Sequence, residues 1–293
     1  MQTRQLQYFL AVADHGGFAR AADALRIAQP SLSQAIAAFE RELGTPLFHR
    51  VGRGVVLSSS GQDLVGPARA VLRSLEHAES SVGSRARAGW DHLDLISTPT
   101  PGVEPLTALL AEFTRERPRT RLNIAVGFTP AAVIEAIRSG EREIGVLGSP
   151  TERAVRGLRS IALAPQPFVI ISPPGSGAPV APTIDLSELR GARLIVPQRG
   201  SLIRATIDGL IESGSLDAEI VAEVSLRASI VPMVLSGIGQ AVLASGWTDL
   251  ARQAGATVQR LTPTAAIHIS VASRERDLTP AATAFMDLVA QTP

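Results

Sequence analysis

The chain has no cysteine among its 293 residues. Disulfide frameworks, thiolate metal sites and cysteine nucleophiles are therefore all excluded, and a reducing compartment fits. Lysine is absent as well, every one of the 28 basic residues being arginine. With alanine abundant throughout, this reflects the base composition of the gene and carries no functional argument. No stretch approaches the roughly 18 apolar residues that a membrane span needs, so a soluble protein without a membrane partner is expected. The first segment, MQTRQLQYFLAVADHGG, has an apolar stripe interrupted by Arg4, Asp14 and His15, and no small-residue cleavage site follows it. That pattern argues against a secretory signal and for a cytoplasmic protein.

Residues that carry chemistry are also sparse. The five histidines, His15, His49, His77, His92 and His268, match no metal-ligand spacing, so no metal and no other cofactor is expected. PPGSGAP around Ser176 is glycine-rich but lacks the strand-to-helix setting of a nucleophile elbow. GIGQAV at 237–242 follows a helix, where a dinucleotide fingerprint follows a strand. With no catalytic constellation, an enzyme is not expected.

What is present is a globular composition, 45% hydrophobic and 19% charged. The length exceeds what one hydrophobic core usually supports, which predicts two or more domains. Net charge is only +1, but it is unevenly spread. Residues 1–89 hold ten arginines against seven acids, and residues 90–293 hold 18 against 20. The N-terminal end is the positive one.

Leu6, Phe9, Leu10 and Ala13 form the stripe of an amphipathic helix that stops at Gly16-Gly17. Phe18, Ala21, Ala22 and Leu25 repeat the pattern over a shorter helix, and Arg26-Ile27-Ala28 makes a turn. A third helix begins near Pro30, where proline's missing N–H costs nothing. Leu32, Ile36, Phe39 and Leu43 lie on one of its faces, while Gln29, Ser31, Ser33 and Gln34 crowd its start and point elsewhere. Three short helices with a tight joint between the last two predict a helix-turn-helix. After Gly44, the segment TPLFHRVGRGVVLSSSG reads as a two-stranded hairpin with Arg53 at its tip, a winged arrangement.

These residues carry a resemblance. Phe9, Phe18, Ala21-Ala22, Leu25, Gln29-Pro30-Ser31-Leu32-Ser33, Ile36, Glu40, Leu43-Gly44, Leu47-Phe48, Arg50 and Gly61 stand in the order and spacing of the DNA-binding domain of LysR-type transcriptional regulators. The resemblance implies that the third helix lies in the major groove of double-stranded DNA. Gln29, Pro30, Ser31, Ser33 and Gln34 would then form the tip that meets bases or phosphates, the two glutamines being able to pair with adenine. Arg50 and Arg53, with Arg4, would hold the backbone. The chain departs from many relatives in having Ala35, Ala37 and Ala38 where arginine or lysine is common, which predicts weak non-specific grip.

Leu64, Val71, Leu75, Ala78 and Val82 approach a heptad repeat, so the segment after the wing reads as a long helix with one narrow seam, disturbed at Pro67. The resemblance makes this the dimer contact; packing on the chain's own second domain is the alternative. After Gly89 strands and helices alternate, which predicts parallel sheets covered by helices. Strands are expected at 93–97, 122–127, 144–148, 168–172, 194–196, 220–224, 240–244 and 267–272. Helices are expected at 103–117, 130–139, 202–212, 226–235 and from Thr279-Pro280 on.

This half resembles the family's effector-binding domain, which is similar in fold to periplasmic solute-binding proteins. The expected fold class is therefore α/β, with an all-α winged helix-turn-helix domain at the N-terminus and an effector domain of two α/β subdomains. The expected divisions are 1–59 for the winged domain, 60–89 for the linker helix and 90–293 for the effector domain. Within the last, subdomain I spans 90–163 and 267–293, and subdomain II spans 164–266. Helices that begin just after strands place Thr98, Thr100, Phe128, Thr129, Ser201, Leu202 and Leu226 as candidates to hold a small-molecule effector, and their hydroxyls and free N–H groups suit an anion. The reading is a DNA-binding regulator, a homodimer or homotetramer, answering to a small molecule. The rival is a solute-binding module without a role at DNA.

Overall fold

The computed structural model describes residues 1–51, 54–82, 91–152, 154–175, 181–263 and 266–292. The chain divides into two compact units, Met1–Asp91 with Ala136–Glu143, and His92–Glu135 with Ile144–Pro293.

In the first unit, α1 (Thr3–His15), α2 (Phe18–Leu25) and α3 (Gln29–Leu43) are followed by β1 (Phe48–Val51), β2 (Gly54–Leu57) and α4 (Ser59–Val82). The stripes read from the sequence form the core. Leu6, Phe9, Leu10, Ala21, Ala22, Leu32, Ile36, Phe39 and Leu47 are all buried together. Phe48 bridges the wing to the helices, with its ring 5.5 Å from Phe9 and 6.0 Å from Phe18. Helix α1 ends at Gly16 and α3 at Gly44, both in the left-handed conformation that only glycine adopts without strain. Between α2 and α3 the chain turns on Arg26, also left-handed, and the N–H of Ile27 returns to the Ala22 carbonyl at 3.0 Å. Helix α4 continues through Pro67.

The second unit, to which Asp91 and the last three residues of α7 do not belong, runs β3 (Asp91–Ser97), α5 (Pro99–Val103), α6 (Leu106–Glu116), β4 (Thr120–Val126), α7 (Pro130–Arg138), β5 (Ile144–Ser149) and β6 (Arg159–Ser172). It continues with β7 (Thr183–Asp185), β8 (Ala192–Pro197), α8 (Leu202–Glu212), β9 (Ala218–Val224), α9 (Ile230–Leu235) and β10 (Ala241–Ala244). The chain then forms α10 (Thr248–Gln253), β11 (Thr257–Thr262), β12 (Ala266–Ser273) and α11 (Pro280–Gln291). The main sheet has the order β4-β3-β5-β12-β6-β11-β7, β10 pairs with β6, and β8 pairs with β9. Leu95 of β3, Ile144 and Val146 of β5, and Ile269 and Val271 of β12 are buried in its centre. Helices α6 and α11 close one side, where Phe113 and Phe285 meet edge to face with centroids 5.4 Å apart.

The expectation of parallel sheets is corrected. Pairings β3·β5, β8·β9 and β11·β7 are parallel, but β12 runs antiparallel to β5 and β6, and β10 and β11 run antiparallel to β6. The 14-residue β6 is responsible. Its first half pairs with β12 and its last residues, from Phe168 on, pair with β10 and β11, so one strand serves two neighbourhoods. The helix expected at 103–117 begins later, at Leu106, because Pro105 is the N-cap of α6, and a separate short helix, α5, ends at Val103. The helix expected at 226–235 is a single 3-10 turn, Arg227–Ser229, before the short α9.

Candidate functional site

The polar tip of α3 arises from two requirements that the helix meets on different faces. Leu32, Ile36 and Phe39 are buried against α1 and α2, which fixes the rotation of the helix. Gln29, Pro30, Ser31 and Gln34 are then exposed, and Ser33 is half-buried at the edge. Ala28, the N-cap, offers no side-chain acceptor, so the first-turn N–H groups are open to a phosphate. Further along, Ala37, Ala38 and Arg41 are exposed, and the Arg41 guanidinium turns back to donate to the Ala37 carbonyl at 3.2 Å.

Glu40 joins this helix to the wing. Its Oε1 accepts from the backbone N–H of Leu47 at 2.7 Å and of Phe48 at 3.1 Å. A carboxylate holding two N–H groups fixes where β1 begins. The hairpin pairs Phe48 with Leu57 through Val51 with Gly54, leaving a two-residue tip. Arg50 lies on β1; Arg53, at the tip, lies outside the described residues, as does Ser176. Gly61, in the first turn of α4, is required by close approach, since a Cβ there would sit 2.2 Å from the Leu47 carbonyl oxygen. Arg4 is engaged locally, its Nε donating to the Tyr8 hydroxyl at 2.8 Å.

In the second unit the structure gathers five of the seven effector candidates around one small cavity. Thr98, Thr100, Phe128, Ser201 and Leu202 line it, together with Pro99, Pro101, Gly148, Arg227 and Ile267 among others. Thr98 follows β3 and its hydroxyl accepts from the Gly148 N–H at 3.3 Å. Thr98 and Thr100 are almost fully buried, whereas Phe128 is 59% exposed at the mouth. Ser201 caps α8, its Oγ accepting from the Arg204 N–H at 3.2 Å. The preceding N–H groups, of Leu202 and Ile203, have no acceptor within the helix. Thr129 and Leu226 lie outside the lining. The Thr129 hydroxyl caps α7 through the Ala132 N–H at 3.2 Å, and Leu226 is 68% exposed.

Sequence reasoning missed Arg227. This side chain is mostly buried, and its Nη1 donates to the Thr100 hydroxyl at 3.0 Å. Burial pushes the guanidinium down to about 10, and among the described residues no acidic neighbour opposes that shift. Arg204 makes an instructive contrast. It is buried too, but Asp208 at 2.7 Å and Glu223 at 2.5 Å hold it on both sides and raise its pKa. Among the described residues no group of three or more His, Asp or Glu side chains could hold a metal, and no helix is long and apolar enough to cross a membrane.

A winged helix-turn-helix unit followed in one chain by an α/β unit with a small cavity defines a class of DNA-binding regulator. The comparisons give the family. Residues 3–62 match the bacterial regulatory helix-turn-helix protein, lysR family, and residues 91–293 match the LysR substrate binding domain. The chain belongs to the LysR family of DNA-binding transcriptional regulators. The nitrogen assimilation regulatory protein nac of Escherichia coli is 28% identical over 293 residues, covering 99% of this chain and 94% of the relative. The transcriptional regulator IlvR of Caulobacter vibrioides is 30% identical over 256 residues, covering 86% and 85%. Among solved structures, full-length CbnR in complex with its target DNA is similar over 100% of both chains, with a TM-score of 0.74 and 22% identity. A full-length OxyR variant from Pseudomonas aeruginosa gives 0.70 and 23%, covering 99% of this chain and 94% of that one.

Proposed function

We propose that the chain, as a homodimer or homotetramer in the cytoplasm, binds a two-fold-related DNA site and changes the geometry of that DNA when a small molecule enters the cavity of the second unit. It carries out no catalysis. The observation that carries this reading is the α3 tip. Gln29, Pro30, Ser31 and Gln34 are exposed while the opposite face is locked into the core, the arrangement a base-reading helix needs. Gln29 and Gln34 can each present an amide to adenine, Ser31 and Ser33 reach bases or phosphates, and Arg50 and Arg53 supply charge to the backbone. The effector contacts are assigned to Thr98, Thr100, Phe128, Ser201 and Leu202, with Thr129 and Leu226, next in sequence to Phe128 and Arg227, as further candidates outside the lining. CbnR, described with its target DNA, supports the first part by likeness of fold. Selecting bound sites from a random duplex pool with the full chain tests the reading. Enrichment of two inverted half-sites is expected; a pool without any such motif contradicts it.

A further inference from the structure

Building on the reading of the cavity as the effector site, we propose that Arg227 determines the chemical class of the effector, a monocarboxylate with a short apolar body whose charged head sits between Arg227 and Thr100. The guanidinium is a mostly buried cation with no acidic partner among the described residues, in a cavity whose other walls include Pro99, Pro101, Phe128, Leu202 and Ile267. A buried charge without a counter-ion is costly, and where a pocket keeps one, an incoming anion removes the cost. One of its donors is given to Thr100, and the remaining edge of the planar fork matches the two oxygens of a carboxylate. The Thr100 hydroxyl accepts from Arg227, so its own hydrogen is available to the same anion.

Size and charge separate a carboxylate from larger or doubly charged anions. The cavity offers about 30 Å³, room for roughly two waters or one carboxylate head. A dianion would leave one charge unmatched among apolar walls. The apolar body then lies toward Phe128, whose exposed ring stands at the mouth. Without an effector, the Arg227–Thr100 hydrogen bond joins the turn after β9 to α5 directly. An anion that takes the remaining edge of the fork and the Thr100 hydrogen adds two bonds across the same joint, which links occupancy to the spacing of the two segments.

The test is thermal melting of the full chain with sodium acetate, butyrate and benzoate, each against its primary amide and against sodium chloride at equal ionic strength. At roughly 50 mM, at least one acid should raise Tm by about 2 °C or more while its amide does not. Arg227→Met and Arg227→Gln should melt cooperatively and lose that rise, and Arg227→Met should itself melt no lower than the parent, since it removes the unpaired charge. The proposal is overturned if no acid separates from its amide, or if the rise survives in both variants. Equal rises for acid and amide that vanish together in Phe128→Ala would leave the effector cavity standing and remove the carboxylate assignment. An acid-specific rise that needs Arg227, beside a failed site selection, would overturn the DNA reading alone.

Discussion

Glu40 shows how much one side chain can hold. Its carboxylate satisfies two backbone N–H groups at the start of the wing. Glu40→Ala should cost about 1–3 kcal/mol of stability, read by chemical unfolding of the full chain, and Glu40→Gln distinctly less, because one amide oxygen can still accept. DNA affinity should fall with the alanine variant because the hairpin loses its anchor to α3. At this scale the exposed tip of α3 was legible from the sequence, since helical periodicity separates buried Leu32, Ile36 and Phe39 from exposed Gln29, Ser31 and Gln34. The roles of Glu40 and Arg227 were not. Glu40 stood among the residues of the family pattern with no partner to explain it. Arg227 meets Thr100 across 127 positions of sequence, and no local pattern encodes a contact of that range.

At the scale of elements, most strands and helices followed from alternation and capping, whereas β6 was only half read. The sequence suggested only 168–172, and the observed strand also runs through Pro165 and Pro167, residues that are rare within a ladder. The structure places Pro165 inside an irregularity of the β12·β6 pairing. There Ile267 faces Gln166 while Ile269 already faces Leu163, so β6 has one residue more than β12 across this step, and Pro165, which cannot donate, lies within it. The short β7, β11 and α10 carried no distinct periodic signal. Helix α4 is the element with the clearest unmet demand. Val71 is 44% exposed and Leu75 38% exposed on an apolar seam, which supports a partner helix from a second copy. Leu75→Asp should raise the dimer dissociation constant by about 100-fold or more, seen as monomer in sedimentation velocity. An unchanged distribution of species would remove α4 from the dimer contact.

For the whole molecule, the two matched family segments span nearly all of the chain, and the order of helix-turn-helix, long helix and α/β unit was legible in advance. The mixed direction of the main sheet was not, because alternation of strands and helices does not reveal a strand shared between two neighbourhoods. In the proposed reading the labour is divided between a sparse reading helix, on which Ala37 and Ala38 are exposed, and the arginines of the wing. Fluorescence anisotropy titration of the parent, Gln34→Ala and Arg53→Ala on the selected duplex and on a scrambled one tests that division most directly. Gln34→Ala should lower the preference for the selected duplex about tenfold and leave scrambled binding unchanged. Arg53→Ala should weaken both alike and reduce the salt slope by about one for each protomer bound. Equal losses on both duplexes for both variants would contradict the account.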